Sequence, residues 1–148
     1  MVVIDEMNRK IIKLLATDGK ITYNEIASRM RRSPSTIRDR IKRLEDNSII
    51  LGYAAIVNCE QMGMNTDAVV FANAGKNVTS QDLARLKNVP GVTEVLFVSG
   101  ERTIMIRLHA QDNKTLNEIL TKHIAPLGLF DIEVQIVLES VMRFPGIW

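Results

Sequence analysis

The chain has 148 residues, 46% hydrophobic and 24% charged, which is the composition of an ordinary folded protein and argues against disorder. Residues 1–58 hold eleven Lys and Arg against seven Asp and Glu, whereas residues 59–148 hold eight against ten. No apolar run approaches the roughly 20 residues that cross a bilayer, and Cys59, the only cysteine, cannot form an intrachain disulfide. We therefore expect a cytoplasmic protein without a membrane partner, whose first part binds a polyanion.

Three short helices are predicted in the basic part of the chain. Asp5 is a suitable N-cap for the first helix, and Gly19 is expected to end it. Thr22 and Glu25, three residues apart, form the capping-box pattern, which predicts that a second helix starts at Tyr23.

The third predicted helix holds most of the concentrated positive charge. Ser33 followed by Pro34 predicts its start, and the apolar spacing of Ile37, Ile41 and Leu44 marks its buried side. A basic helix after a tight turn is typical of a helix-turn-helix, which places such a helix in the major groove of DNA. We predict contacts with double-stranded DNA from Arg31, Arg32, Ser33, Ser35, Thr36, Arg38, Asp39, Arg40, Lys42 and Arg43.

The rest of the chain alternates between strand and helix patterns. Residues 51–67 read as a connecting strand followed by a polar hinge. The order after the hinge is β, α, β, β, α, β, which predicts a ferredoxin-like domain of four antiparallel strands with two helices on one face. The predicted fold is α+β: a winged-type helix-turn-helix in residues 1–50, the connection in 51–67 and the ferredoxin-like domain in 68–148.

Strand alternation predicts which face of the sheet the helices cover. The predicted helix-side row is Ile104, Ile106, Leu108, Ile132, Val134, Ile136 and Leu138. The predicted open face carries Val69, Phe71, Val95, Phe97, Met105 and Val137, mixed with Arg107, Glu133 and Gln135. An uncovered apolar face indicates an interface, so we expect a homodimer that presents two recognition helices to DNA.

No residue pattern predicts catalysis, a metal site or a cofactor. His109 and His123 have no Cys or acid at ligand spacing, which favours structural or surface roles for both. The apolar end of the chain, Phe144 to Trp148, is expected to pack on its own domain, with a neighbouring subunit as the alternative.

The chain resembles the leucine-responsive and asparagine-responsive regulators, the Lrp/AsnC or feast/famine family, over essentially its whole length. The resemblance rests on IDEMNRKIIKLL, ITYNEIASRM and SPSTIRDRIKRLEDNSIILGYAAIVN, followed by PGV and a later strand reversal at Gly100. It implies a transcription regulator that is not an enzyme, binds operator DNA as a homodimer and assembles further, commonly into octamers.

The resemblance also implies an effector, often an amino acid, at the reversal between the second and third strands. Here that reversal consists of Ser99, Gly100, Glu101, Arg102 and Thr103. Many relatives have an aspartate where this chain has Thr103, and Glu101 is the available substitute. Ser48 stands where relatives often have the glycine that ends the recognition helix, and Asn47 is expected to take the left-handed conformation instead.

Two other functions remain open alongside a regulator that responds to an effector. One is an effector-blind architectural protein that coats or bends DNA, which the threonine at position 103 keeps open. The other is an enzyme like the sirohaem decarboxylases, which share this architecture but have no need of a dense basic helix.

Overall fold

The structure is a computed structural model and describes residues 4–141. The described residues form two compact units, one reaching Val57 and the other spanning Asn58–Val141. The predicted packing of the apolar end, Phe144 to Trp148, lies outside the described residues. None of the helices within residues 4–141 combines the length and apolar character needed to cross a membrane.

The first unit contains three helices, and their N-terminal caps confirm the predicted starts. They are α1 (Glu6–Thr17), α2 (Tyr23–Met30) and α3 (Pro34–Asp46). Each cap side chain accepts a backbone N–H near the start of its helix, and Glu25 also accepts the N–H of Thr22 to complete the capping box. The core of this unit consists of Ile11, Ile21, Ile26, Ala27, Ile37, Ile41 and Leu44.

An ion pair ties α3 to the start of α1. One Nη of Arg40 lies 2.6 Å from a carboxylate oxygen of Asp5 and 3.0 Å from Oδ1 of Asn8. The Asn8 backbone N–H and the Arg40 guanidinium together lower the pKa of Asp5. Arg40 therefore links two helices through the residue that also caps α1.

The segment after α3 differs from the prediction. Residues 51–58 were expected to form a strand, but the structure has no strand there. A strand needs a hydrogen-bonding partner, and no described backbone pairs with this segment. Its apolar side chains are exposed instead, with Leu51 at 90% and Ile56 at 61% of full accessibility.

The second unit has the predicted βαββαβ order. Its elements are β1 (Thr66–Ala74), α4 (Ser80–Leu83), β2 (Val92–Phe97), β3 (Ile104–Ala110), α5 (Asn113–Ile119) and β4 (Leu129–Ile136). A short 3-10 helix (Glu60–Met62) precedes β1, and another (Ala84–Asn88) continues α4. A π-helical turn (Leu120–Ile124) and a 3-10 turn (Ala125–Leu127) continue α5.

All strand pairs in the sheet are antiparallel, and the strand order is β2-β3-β1-β4. The helices cover the two central strands, β3 and β1. The resulting core consists of Ala68, Val70, Ala72, Leu83, Leu86, Val89, Ile104, Ile106, Leu108, Ala110, Leu116, Ile119, Ile124 and Leu129.

Because β2 contains a β-bulge, its side chains lie on other faces of the sheet than predicted. The register with β3 shifts between Val92 and Glu94, so one extra residue of β2 reverses the alternation. Val95 pairs with Ile106 and Phe97 with Ile104, which places both on the helix side instead of the open face. Leu96, paired with Met105, takes the open-face position.

The side chains of β4 that were predicted to lie beneath the helices are more exposed than expected, because β4 is an edge strand. Val134 and Ile136 pair with buried residues of β1, as expected for the helix side. The helices do not reach over this edge, so the two side chains stay 36% and 44% exposed, and Ile132 stays 37% exposed. Leu138 lies beyond the end of β4 and is 95% exposed.

The end of α3 offers a test of backbone strain. Ser48 takes the left-handed conformation, with φ 54°, whereas Asn47 does not, with φ −97°, so the expectation for Asn47 was wrong. Ser48 N–H donates to the Glu45 carbonyl and Ile49 N–H to the Leu44 carbonyl, which closes the helix. The left-handed residue is therefore the one at the position where relatives often have glycine.

Replacing Ser48 with glycine should stabilise the first unit. We expect Ser48→Gly to raise the free energy of unfolding by about 0.5–1 kcal/mol, because glycine relieves the left-handed strain while adding some unfolded-state entropy. Urea denaturation measures the change. Asn47→Gly is the matched control and should destabilise, because it removes the side-chain hydrogen bond to the Arg43 carbonyl at an unstrained position. Equal effects of the two variants would contradict this account.

Candidate nucleic-acid interface and ligand pocket

The outward face of α3 follows from its buried side. Ile37, Ile41 and Leu44 are 0–1% exposed. At about 100° per residue, the opposite side of the helix is centred on Ser35, Asp39 and Lys42 and flanked by Arg38 and Arg43. All five of these side chains are exposed.

Arg38 and Asp39 contribute opposite charges to this outward face. The Arg38 Nε lies 3.6 Å from Asp39 Oδ1, and the two side chains are 63% and 65% exposed. An ion pair this exposed contributes little stability, so the guanidinium can exchange Asp39 for a phosphate or a base edge at low cost.

Three hydroxyl groups lie together at the N-terminus of α3. Ser33 Oγ accepts the backbone N–H of Thr36 at 3.2 Å. The same oxygen lies 3.0 Å from Ser35 Oγ and 2.7 Å from Thr36 Oγ1. Small polar groups therefore lie at the N-terminus of α3. Backbone amides at a helix N-terminus favour phosphate, and in helix-turn-helix proteins the first turn of the recognition helix contacts base edges.

The turn between α2 and α3 exposes two more arginines. Arg31 has the left-handed φ of 52°, and Arg32 donates its backbone N–H to the Ala27 carbonyl at 2.9 Å. Carbonyl groups of α2 therefore close the turn. The side chains of both arginines are exposed.

Arg40 differs from the other predicted DNA contacts. It is only 30% exposed, because it faces α1 and binds Asp5 and Asn8. Charge counting could not separate Arg40 from its neighbours, although its helical position, next to the buried row, is the signal that could have done so. The structure thus brings nine of the ten predicted residues onto exposed positions and assigns Arg40 an internal contact.

In the second unit, the predicted effector loop is the reversal between β2 and β3. Gly100 has φ 139°, and the Val98 N–H donates to the Thr103 carbonyl at 2.9 Å to close the loop. Arg102 forms a 2.6 Å ion pair with Glu133 and donates from Nε to the Asp131 carbonyl. The Thr103 N–H donates to Asn73 Oδ1 at 3.2 Å.

The sequence did not identify the loop's partners. Asn73 and Glu133 come from β1 and β4, and Asp131 has a left-handed φ of 51° at a bulge in β4. Local sequence patterns do not give the pairing of strands that are distant in sequence. Here the pairing of β1 with β4, which contains a bulge, brings these residues together.

A pocket of about 460 Å³ adjoins the loop on the open face of the sheet. Its charged groups are Glu101, Arg102 and Glu133, and its apolar wall includes Phe71 and Met105. The pocket opens widely to solvent, and two of its charged groups, Arg102 and Glu133, are paired with each other. Within residues 4–141, no cluster of His, Cys, Asp and Glu is arranged to hold a metal ion.

Two family models match the chain, one for each part. Residues 4–50 match the winged helix-turn-helix DNA-binding model, and residues 68–147 match the Lrp/AsnC ligand binding domain. The second match alone covers more than half of the chain.

Individual relatives agree with these matches. The HTH-type transcriptional regulator FL11 of Pyrococcus furiosus is 28% identical over 137 residues, which is 93% of this chain and 91% of FL11. The E. coli AsnC structure has a TM-score of 0.81 at 25% identity and covers 96% of this chain and 97% of AsnC. The feast or famine regulatory protein of M. tuberculosis, complexed with L-methionine, has a TM-score of 0.89 at 24% identity, with 97% and 98% covered.

These matches explain the pairing of a basic helix-turn-helix with a ferredoxin-like sheet, and they favour a regulator over the decarboxylase alternative. The chain belongs to the Lrp/AsnC family of DNA-binding transcription regulators, which are not enzymes.

Proposed function

We propose that this regulator reads operator DNA with the outward face of α3 and the turn before it. The observation that carries the proposal is the segregation of charge on α3. Arg38, Lys42 and Arg43 are exposed, whereas the apolar row of the same helix is buried. Arg31 and Arg32 extend the basic surface along the DNA backbone, and Ser35, Thr36, Arg38 and Asp39 stand nearest the base edges.

We propose further that the working form is a homodimer that can assemble into an octamer. The open face of the sheet carries Val69, Phe71, Leu96 and Met105, which a second copy would bury. Three of these residues also line the pocket beside the loop, so the second copy would close one side of that pocket. A two-fold dimer suits operator recognition, since it presents two copies of α3 to half-sites about 34 Å apart. DNA binding makes a cytoplasmic location part of the proposal.

The third part of the proposal is a small-molecule effector at the loop from Ser99 to Thr103. The 460 Å³ pocket beside the loop has room for an amino acid, and Glu101 offers an exposed carboxylate for its ammonium group. A fold relative from M. tuberculosis was solved with L-methionine, which makes amino acids the first compounds to try.

A specific observation favours an effector-blind architectural protein as the second candidate. Arg102 and Thr103 already have partners within the unit, namely Glu133 and Asn73. A ligand would have to rely on the remaining groups of the loop or break these contacts. The effector-blind reading predicts weak sequence preference and no response to any amino acid.

Arg38→Ala tests the reading face. If Arg38 contacts a guanine with two hydrogen bonds, its loss should cost about 1–3 kcal/mol at an operator selected from random DNA and relax specificity there. Lys42→Ala should weaken binding to all DNA sequences alike. It should also reduce the slope of log affinity against log salt concentration by about the value of one phosphate contact. Fluorescence anisotropy on operator and scrambled duplexes at several salt concentrations measures both effects.

Two control variants accompany this measurement. Lys13→Ala removes the same charge from the exposed part of α1 and should leave operator affinity nearly unchanged. Arg40→Met should lower the melting temperature through loss of the Asp5 contact, with little effect on affinity at a temperature where the variant is folded. Unchanged operator affinity in Arg38→Ala would contradict the proposed reading face.

Phe71→Asp tests the dimer face. Burying an unpaired carboxylate in the interface is costly, so the variant should sediment as a monomer at concentrations where the parent is a dimer or larger. Phe97→Asp is the matched control, because Phe97 is 60% exposed on the helix side of the sheet. Sedimentation velocity distinguishes the outcomes, and a Phe71→Asp variant with the parent's mass would exclude this face as the interface.

An amino-acid panel tests the effector proposal. A ligand at 100 times its dissociation constant should add about 2.7 kcal/mol to the free energy of unfolding, which appears as a higher melting temperature. Glu101→Gln should reduce that shift if the carboxylate holds the ammonium group. Absence of a shift from every member of the panel would favour the effector-blind protein.

A further inference from the structure

The chain leaves the packed part of the first unit directly after Ile50. Ile49 and Ile50 pack beside the core of that unit, and both donate their backbone N–H to the Leu44 carbonyl. Leu51 is then 90% exposed, and a Cβ added at Gly52 would meet no atom within 4 Å. Residues 51–57, which we call the connecting segment, therefore begin outside the core.

Tyr53 brings the connecting segment back to α3. Its hydroxyl group donates a 2.8 Å hydrogen bond to Oε1 of Glu45, which lies in the last turn of the helix. Burial of the hydroxyl and the hydrogen bond to the Glu45 carboxylate raise the pKa of Tyr53 to about 12. The hydroxyl group is therefore protonated at neutral pH and remains a donor.

The bond between Tyr53 and Glu45 is the main attachment of the connecting segment. Within residues 4–141, no other hydrogen bond joins this segment to the remainder of the chain. Packing adds little, because Tyr53 itself is 54% exposed and Ile56 is 61% exposed. Tyr53 is thus the last residue before the unit boundary at Val57 that a directed contact fixes to the DNA-binding unit.

Opening this bond would lengthen the connection that carries α3. An extended chain spans at most about 3.3–3.6 Å per residue, so release of residues 51–53 adds roughly 10 Å of reach. This distance corresponds to about three base pairs of DNA, and each base pair also turns a half-site by about 35° around the DNA axis. The state of one hydrogen bond therefore changes the reach of α3 by an amount that matters for operator geometry.

We propose that Tyr53 is a specificity-determining residue for the spacing of operator half-sites. With its bond to Glu45 closed, the short connection admits a narrow range of distances between two copies of α3. An operator with a longer spacing requires the bond to open, which weakens binding by the net free energy of that bond. The inference rests on the proposed homodimer that reads two half-sites, and Tyr53 acts by positioning α3 without touching DNA.

The test uses the full chain and duplexes that carry the selected half-site twice, with the spacing varied in steps of one base pair. Fluorescence anisotropy gives the affinity for each duplex relative to the best spacing. The parent should bind a narrow range of spacings. Tyr53→Phe should reduce the discrimination against spacings that are one to three base pairs longer by about three- to tenfold, the usual net value of one hydrogen bond.

Three further variants test whether the hydrogen bond itself is responsible. Glu45→Ala should reproduce the broader spacing profile of Tyr53→Phe. Glu45→Gln keeps an acceptor oxygen and should behave more like the parent. Tyr23→Phe removes the hydroxyl group of the other tyrosine, which is 44% exposed, and should leave the spacing profile unchanged.

A duplex with a single half-site separates positioning from damage to the DNA-binding unit. Tyr53→Phe should bind it with the parent's affinity. An unchanged spacing profile in Tyr53→Phe would overturn the inference, as would a parent without any spacing preference or a Tyr53→Phe variant that loses affinity for the single half-site. Failure of the proposed reading face would be recognised separately, by unchanged operator affinity in Arg38→Ala.

Discussion

The packing of one side of α3 determines what the other side can do. Ile37, Ile41 and Leu44 are fully buried against α1 and α2, so rotation of the helix about its axis would expose them at several kcal/mol. The outward position of Arg38 and Lys42 follows from this constraint. The face of α3 that we propose reads DNA is thus specified by the apolar residues on its opposite side.

Local signals predicted the first unit well because its structure is set by neighbours in sequence. The caps at Asp5, Thr22 and Ser33 act within three residues, and the apolar period marks the buried side. Arg40 could not be assigned from charge alone, since its partners on α1 lie more than thirty residues away. Ser48 gives a similar result. The sequence identified the end of α3, but the hydrogen bonds that close the helix determine that Ser48 is the residue with the left-handed conformation.

The ferredoxin-like unit shows where sequence patterns stop being informative. Element order and approximate limits were predictable, because turns and alternation are local. The faces of β2 were not, since one extra residue at the bulge before Glu94 reverses every side chain after it. The exposure of Ile136 follows from strand order, which places β4 at an edge that the helices do not cover.

Any effector that acts through the loop must bind one state of the protein more tightly than another. An effector with equal affinity for both states would not shift the equilibrium between them. In this structure the Arg102–Glu133 pair and the Thr103–Asn73 hydrogen bond fasten the loop to β4 and β1. A ligand that leaves them intact would stabilise the present loop arrangement, whereas one that competes for Arg102 would release the loop from β4. Since the Thr103 hydrogen bond to Asn73 comes from the backbone N–H, any residue at position 103 can anchor the loop in this way, and the threonine changes only the side chain that a ligand would meet.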